Sequence, residues 1–197
     1  MKLLKLTPSE LGIFDFGRVI NPIVFRSADV KKALFDLSES LGSALVVGGI
    51  AVMHHGYVRG ANNVNVLYSV ADSSILERLS VKFEIKRIAK SGLHSLAHKA
   101  TGYPLLLLRE GTETEFGTIP GPDFFGSENG FIPLPGLIHL KLLRGFCKDE
   151  ADIVELAVRK MRTIKATRKK LPVEMHGRFD ALIVKAKEQI ANDPFKG

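Results

Sequence analysis

A short apolar run that ends in two glycines constrains the fold of this chain more than any other feature. Residues 43–47 (SALVV) lack the polar alternation of a half-exposed strand, which is typical of a strand covered on both faces. Gly48 and Gly49 end this run, and residues 50–55 are predicted to form a short helix. A covered strand followed by a helix favours an α/β fold.

Periodicity predicts further elements on both sides of this run. Residues 63–68 (NVNVLY) alternate polar with apolar side chains, so we expect a strand with Val64 and Val66 on one face and Asn63, Asn65 and Leu67 on the other. The remaining predictions are helices at 27–41 and 72–80, strands at 82–89 and 103–109, turns and a long surface loop over 111–135, and helical segments at 137–145, 149–167 and 172–190.

The positive charge of the chain is concentrated in one segment. The formal net charge is +7, and residues 159–170 (RKMRTIKATRKK) hold seven cations and no acid, whereas the flanking regions are neutral. Four of these cations recur at helical spacing: Arg159, Arg162, Lys165 and Lys169. Such a stripe either binds a polyanion such as RNA or is the solvated end of a helix.

Two observations restrict the class of protein. The longest apolar run, residues 44–53, is too short to cross a bilayer, so we expect a soluble cytoplasmic protein without a membrane partner. Cys147 is the only cysteine, which excludes an intramolecular disulfide and a zinc site built from cysteines.

Residues 44–67 (ALVVGGIAVMHHGYVRGANNVNVL) carry the most informative motif. A strand ends in Gly48 and Gly49, a short helix follows, and Arg59 precedes the next strand. This order resembles the signature of the minimal nucleotidyltransferase superfamily, notably its abortive-infection type toxins. That resemblance implies a mixed sheet flanked by helices, with Gly48, Gly49 and Arg59 binding a nucleoside triphosphate.

A second segment, residues 140–153 (LKLLRGFCKDEADI), resembles the helical part of the same family that closes the nucleotide cleft. It implies nucleotide contacts from Lys141 and Lys148, with Arg144 as a further candidate. A surface network of salt bridges, with Asp149 and Asp152 as partners, is the alternative interpretation. The order and periodicity of the predicted elements indicate an α/β core over residues 1–130 and a helical portion over residues 131–197 that packs on it.

The family's metal-binding acids are missing from this sequence. The resemblance places its paired aspartates at Asn63 and Asn65, its threonine at Ala61 and its third acid at or near Leu106. Magnesium prefers charged oxygen ligands, so replacing these acids is expected to weaken metal binding and nucleotidyl transfer. Natural erosion, deliberate inactivation, or compensation by displaced acids would each explain the change. The displaced candidates are Glu110, Glu113, Glu115 and Asp123.

The histidines are weaker candidates for a site. His94 and His98 would share one face of a helix, but Ser95 stands where the zinc-protease motif has its glutamate, and the sequence indicates no third ligand. His54 and His55 follow the glycine turn, where they either line the cleft or have a structural role.

The sequence therefore predicts a nucleotidyltransferase-fold protein with a degenerate metal site that binds a nucleotide or RNA. One alternative is an active, toxin-like transferase that uses Mg²⁺ and a nucleoside triphosphate to modify tRNA or protein, with a cognate antitoxin as its partner. The other is a structural domain that binds a protein partner and no nucleotide.

Overall fold

The computed structural model describes residues 27–40, 44–59, 63–69, 75–87 and 93–193. The strands are β1 (Ala44–Val47), β2 (Val64–Tyr68), β3 (Phe83–Arg87), β4 (Leu93–His98), β5 (Pro104–Arg109), β6 (Glu113–Thr114) and β7 (Gly117–Thr118). The α-helices are α1 (Ser27–Ser40), α2 (Gly48–His54), α3 (Ile75–Lys82), α4 (Pro122–Phe125), α5 (Leu134–Arg144), α6 (Cys147–Thr167) and α7 (His176–Ala191). Two 3₁₀ turns, Arg168–Lys170 and Val173–Met175, connect α6 to α7.

Five strands form one mixed sheet in the order β1-β2-β5-β4-β3. β2 and β5 run parallel, and the other neighbouring strands run antiparallel. The predicted α/β class is confirmed. β1 and β2, which precede and follow the glycine turn and helix α2, are neighbours in the sheet. Their register pairs Val47 with Asn65, and on the other side of β2 Asn65 pairs with Leu106.

The two faces of this sheet differ in burial. Val64 and Val66 on β2 and Leu105 and Leu107 on β5 point to a face that is almost completely buried. Helix α1 lies on this face, where Asp36 Oδ2 is 2.9 Å from Nε2 of His98 on β4. The opposite face is half-buried where β2 and β5 begin. We call this region the half-buried face, and its residues are Asn63, Asn65, Ser95, Pro104 and Leu106.

Strand β4 corrects the sequence analysis, which predicted no strand at this position. His94 and His98 lie on a strand rather than on a helix. The His98 side chain is 1% exposed; its Nε2 lies 2.9 Å from Asp36 Oδ2 and its Nδ1 lies 2.8 Å from Thr101 Oγ1. His98 therefore has a structural role in the core.

The region predicted as a long loop contains regular structure. β6 and β7 form a small hairpin, and α4 adds one helical turn. Residues 130–132 then lie along the free edge of β1, where Val46 N donates to Gly130 O at 2.9 Å and Ile132 N donates to Val46 O at 3.1 Å. This segment covers an edge that would otherwise leave backbone groups unpaired.

Three helices follow, so the predicted helical character of the C-terminal segment is confirmed. α5 packs on α6 and α2, and α6 packs on α7. α6 is kinked at Lys160, where φ is −137° and ψ is 47°. The division into residues 1–130 and 131–197 stays a prediction. No helix among the described residues has the length and apolar character needed to span a membrane.

An ion cluster around Asp36 joins α1 to the sheet and to α3. Lys82 Nζ lies 2.9 Å and Lys32 Nζ lies 3.2 Å from the carboxylate, opposite His98. Burial raises the pKa of Asp36, but hydrogen bonds from Lys82, His98 and Lys32 outweigh that effect and lower it from 3.8 to about 2. The ionised carboxylate is therefore stabilised in the folded state.

We predict that Asp36→Asn lowers the free energy of unfolding by about 2 kcal/mol at neutral pH. The interactions that lower the pKa of Asp36 stabilise the folded state fully above the pKa of the unfolded chain, near 3.8. This stabilisation is lost as the pH falls through the pKa of the folded state, about 2. Urea denaturation at pH values across this range should show that the free energy of unfolding falls less with decreasing pH in the variant than in the wild type. Glu77→Gln on the exposed side of α3 is the control, and identical pH profiles for Asp36→Asn and wild type would contradict the prediction.

Candidate functional site

The turn between β1 and α2 is built on a close approach that only glycine allows. Gly48 has φ of +68°, in the left-handed region that glycine adopts without a steric penalty. A Cβ atom on Gly48 would lie 2.4 Å from Nδ2 and 2.9 Å from Cγ of Asn65. The backbone of the glycine turn is therefore packed directly against the side chain of Asn65, while Gly49 beside it is half-buried.

Asn63 and Asn65 lie at the start of β2, on the half-buried face. Oδ1 of Asn65 is buried and accepts no hydrogen bond from the described residues. An unsatisfied buried acceptor costs about 1–3 kcal/mol, so a donor from water or from a ligand would be stabilising at this position.

Leu106 lies beside Asn65 on the neighbouring strand β5. The three positions at which the family would carry acids therefore hold two amides and one aliphatic side chain. This donor set does not fit Mg²⁺, which requires several oxygen ligands, at least one or two of them charged.

The four candidates for displaced acids all follow the end of β5 along the chain. Glu110 is four residues beyond Leu106, about 13 Å along the strand direction, and its Oε1 accepts a hydrogen bond from Ser69 Oγ at 2.6 Å. Glu113 and Glu115 follow in the β6–β7 hairpin, and Asp123 lies on α4. Because Ser69 holds Glu110 at the far end of β2, this carboxylate does not replace an acid at Asn65.

A buried ion network occupies the position predicted for nucleotide-binding cations. Lys141 is 2% exposed, and its Nζ lies 2.7 Å from both Asp149 Oδ1 and Asp152 Oδ2. Arg59 contacts Asp152 through Nε at 2.7 Å and Nη2 at 2.8 Å. Arg144 Nε lies 3.4 Å from Asp149 Oδ2. We call these five residues the Lys141 network.

The Lys141 network ties the segment after α2 to helices α5 and α6. Its three cations exceed its two carboxylates by one charge, and Arg59 and Arg144 are its most exposed members, with side chains 14% and 18% exposed. Removing one partner from a buried ion pair leaves an uncompensated charge, so the network is first a structural element. Lys148 is exposed and takes no part in it.

The predicted basic stripe is retained in part. Arg159 pairs with Glu155, and its guanidinium lies 4.4 Å from the ring centre of Tyr57. Arg162 and Lys165 are exposed on the part of α6 that follows the kink, and Lys169 is exposed in the adjoining 3₁₀ turn. All four predicted cations are therefore exposed, and three of them, Arg162, Lys165 and Lys169, have no ion pair among the described residues.

His54 and His55 lie at the end of α2, one half-buried and one buried. Burial is the largest effect that lowers the pKa of each ring, and Lys160 lowers both further, although Glu128 acts in the opposite direction. Glu128 was missed in the sequence analysis, because it lies 73 residues beyond His55 in a segment predicted only as loop.

No family model matches this sequence, and no curated protein matches it. The resemblance to nucleotidyltransferases therefore rests on the two sequence motifs and stays a prediction.

We predict that Gly48→Ala is more destabilising than Gly102→Ala. Both glycines have nearly the same φ, +68° and +69°, but the space around Gly102 is open. Gly102→Ala should therefore cost only the left-handed backbone term of about 1–2 kcal/mol. Gly48→Ala should cost about 1–3 kcal/mol more, because its methyl group overlaps Asn65.

A double-mutant cycle isolates this contact. In the Gly48→Ala background, Asn65→Ala should recover most of the additional loss in the free energy of unfolding, measured by urea denaturation. Strict additivity of the two substitutions would show that the glycine turn and Asn65 are not packed as described.

Proposed function

We propose that this chain is a nucleotidyltransferase-fold protein with a degenerate metal site, which binds a nucleotide at the half-buried face and RNA along α6. The observation that carries the proposal is the packing of Gly48 against Asn65, because it joins the two halves of the motif at one point. The strand register also pairs Asn65 with Val47 on one side and with Leu106 on the other. Leu106, the position predicted for the third acid, therefore lies beside Asn65.

The chemistry of the half-buried face suits a nucleotide better than a metal ion. Leu106 and Pro104 offer an apolar surface beside the amides of Asn63 and Asn65. The unpartnered Oδ1 of Asn65 accepts a hydrogen bond, which a ribose hydroxyl or an exocyclic amino group can donate.

Catalysis by this face is expected to be impaired. In two-metal transfer, metal ions stabilise the attacking and leaving oxygens, and carboxylates hold those ions. Asn63 and Asn65 supply no negative charge, and Leu106 supplies no ligand atom. Asp149 and Asp152 are engaged by Lys141, with contacts of 2.7 Å, so they are poor substitutes.

The charge distribution supports RNA as the second ligand. Arg162, Lys165 and Lys169 carry no ion pair among the described residues, and Arg162 lies ten residues beyond Asp152 on α6. The kink at Lys160 lies between these two residues, so the RNA is proposed to lie along the exposed cations that follow the kink.

We predict that the double substitution Asn63→Asp and Asn65→Asp creates Mg²⁺ dependence in nucleotide binding. Calorimetry with ATP, CTP, GTP and UTP should show wild-type binding that is nearly independent of Mg²⁺, whereas the restored variant should bind more tightly with the metal. Transfer of label from a nucleoside triphosphate to RNA should likewise increase in the restored variant.

Asn192→Asp, in the exposed turn after α7, controls for added charge. Equal label transfer by wild type and the restored variant would contradict the degenerate-site assignment and favour an active transferase. An absence of binding heat at millimolar nucleotide would contradict nucleotide binding and favour a structural domain.

We predict that the triple substitution Arg162→Glu, Lys165→Glu and Lys169→Glu weakens binding to single-stranded RNA and reduces its salt dependence. If each cation neutralises one phosphate, the slope of log affinity against log salt should fall in magnitude by about 2. Charge reversal of Lys99, Lys185 and Lys187, which are also exposed, is the control. Equal salt slopes for the two triple variants would refute RNA binding along α6.

A further inference from the structure

Three potential metal ligands converge at the end of α2. His54, His55 and Glu128 each offer one ligand atom, and these atoms lie within 4.8 Å of one another. Glu128 reaches the histidines because residues 130–132 are held on the edge of β1 by the hydrogen bonds of Val46.

Both imidazole rings are held in place by neighbours. The His54 ring is stacked on Phe131, with the ring centres 4.2 Å apart and the planes 3° from parallel. His55 Nε2 lies 2.9 Å from the carbonyl oxygen of Ile132. Because a carbonyl only accepts, Nε2 carries the proton in the neutral ring, and the other ring nitrogen keeps its lone pair.

A backbone carbonyl bonded to one imidazole nitrogen is the usual way in which a protein orients a metal-binding histidine. The two rings are 75° apart in plane, with centres separated by 5.0 Å, so they approach the space between them from different directions. The carboxylate of Glu128 is exposed and adjusts to a ligand at little cost.

We propose that His54, His55 and Glu128 form a binding site for a divalent transition metal, with Zn²⁺ as the best fit. Two imidazole nitrogens and one carboxylate oxygen make a donor set that Zn²⁺ accepts and that Mg²⁺ does not favour. Water occupies the fourth coordination position.

This site is separate from the proposed nucleotide site. His54 lies six residues beyond Gly48, about 9 Å further along α2. Its donor atoms also differ in kind from the amides at Asn63 and Asn65. The metal proposal therefore stands whether or not the half-buried face binds a nucleotide.

The charge of Lys160 provides a way to tell zinc bound at this site from zinc bound elsewhere on the surface. A Cβ atom on Gly56, directly after the histidine pair, would lie 2.9 Å from Lys160 Nζ. The ammonium group is therefore close enough to repel a bound cation, and Glu128 is the acid among the described residues whose charge acts on both rings. Removing this charge should increase metal affinity.

The test is calorimetric titration of the metal-free chain with zinc chloride, in a Cys147→Ser background that removes the exposed thiol as a competing ligand. We expect one zinc ion per chain. Glu128→Gln should weaken binding by about tenfold or more. His54→Phe, which keeps the stack on Phe131, should also weaken it strongly, and Lys160→Met should strengthen it.

Cobalt substitution supplies an independent readout, since the visible spectrum of bound Co²⁺ reports the coordination geometry. His176→Asn, at the start of α7, is the matched control and should leave zinc affinity unchanged. Absence of binding at millimolar zinc would overturn the proposal. So would stoichiometric binding that neither Glu128→Gln nor His54→Phe weakens.

Discussion

The contact between Gly48 and Asn65 is the constraint on which the proposed site depends. It requires a left-handed glycine, fixes the turn from β1 into α2, and sets the backbone of that turn against the start of β2. The register then aligns Val47, Asn65 and Leu106 in one row across three strands. The opposite face of these strands, with Val64, Val66, Leu105 and Leu107, is buried in the core.

Charge in this molecule is divided between a buried, paired cluster and an exposed segment without ion pairs among the described residues. Positions 63, 65 and 106 hold no carboxylate, while Asp149 and Asp152 are buried on α6 and paired with Lys141. A buried carboxylate with a cation at 2.7 Å is already compensated, so it has little residual field to attract a dication. The free positive charge lies instead on the exposed end of α6, which favours polyanions.

Sequence reasoning was most successful where the signal was local. The apolar run before Gly48 and the alternation through Asn65 predicted two strands, because each pattern is set by a few consecutive residues. Strand β4 was missed because residues 93–98 (LHSLAH) lack strong β-branched or aromatic character. Glu128 was missed as a possible ligand, because its proximity to His54 arises from an edge contact with β1.

The sequence by itself determined the α/β class, the glycine turn, the helical C-terminal segment and the presence of amides rather than carboxylates at positions 63 and 65. The tertiary structure alone decided which charges are available. It buried Lys141 between two carboxylates, set Arg159 against Tyr57, and left Arg162 exposed. The physical reason is that periodicity depends on neighbours along the chain, whereas electrostatic and metal-binding properties depend on distances between residues far apart in sequence.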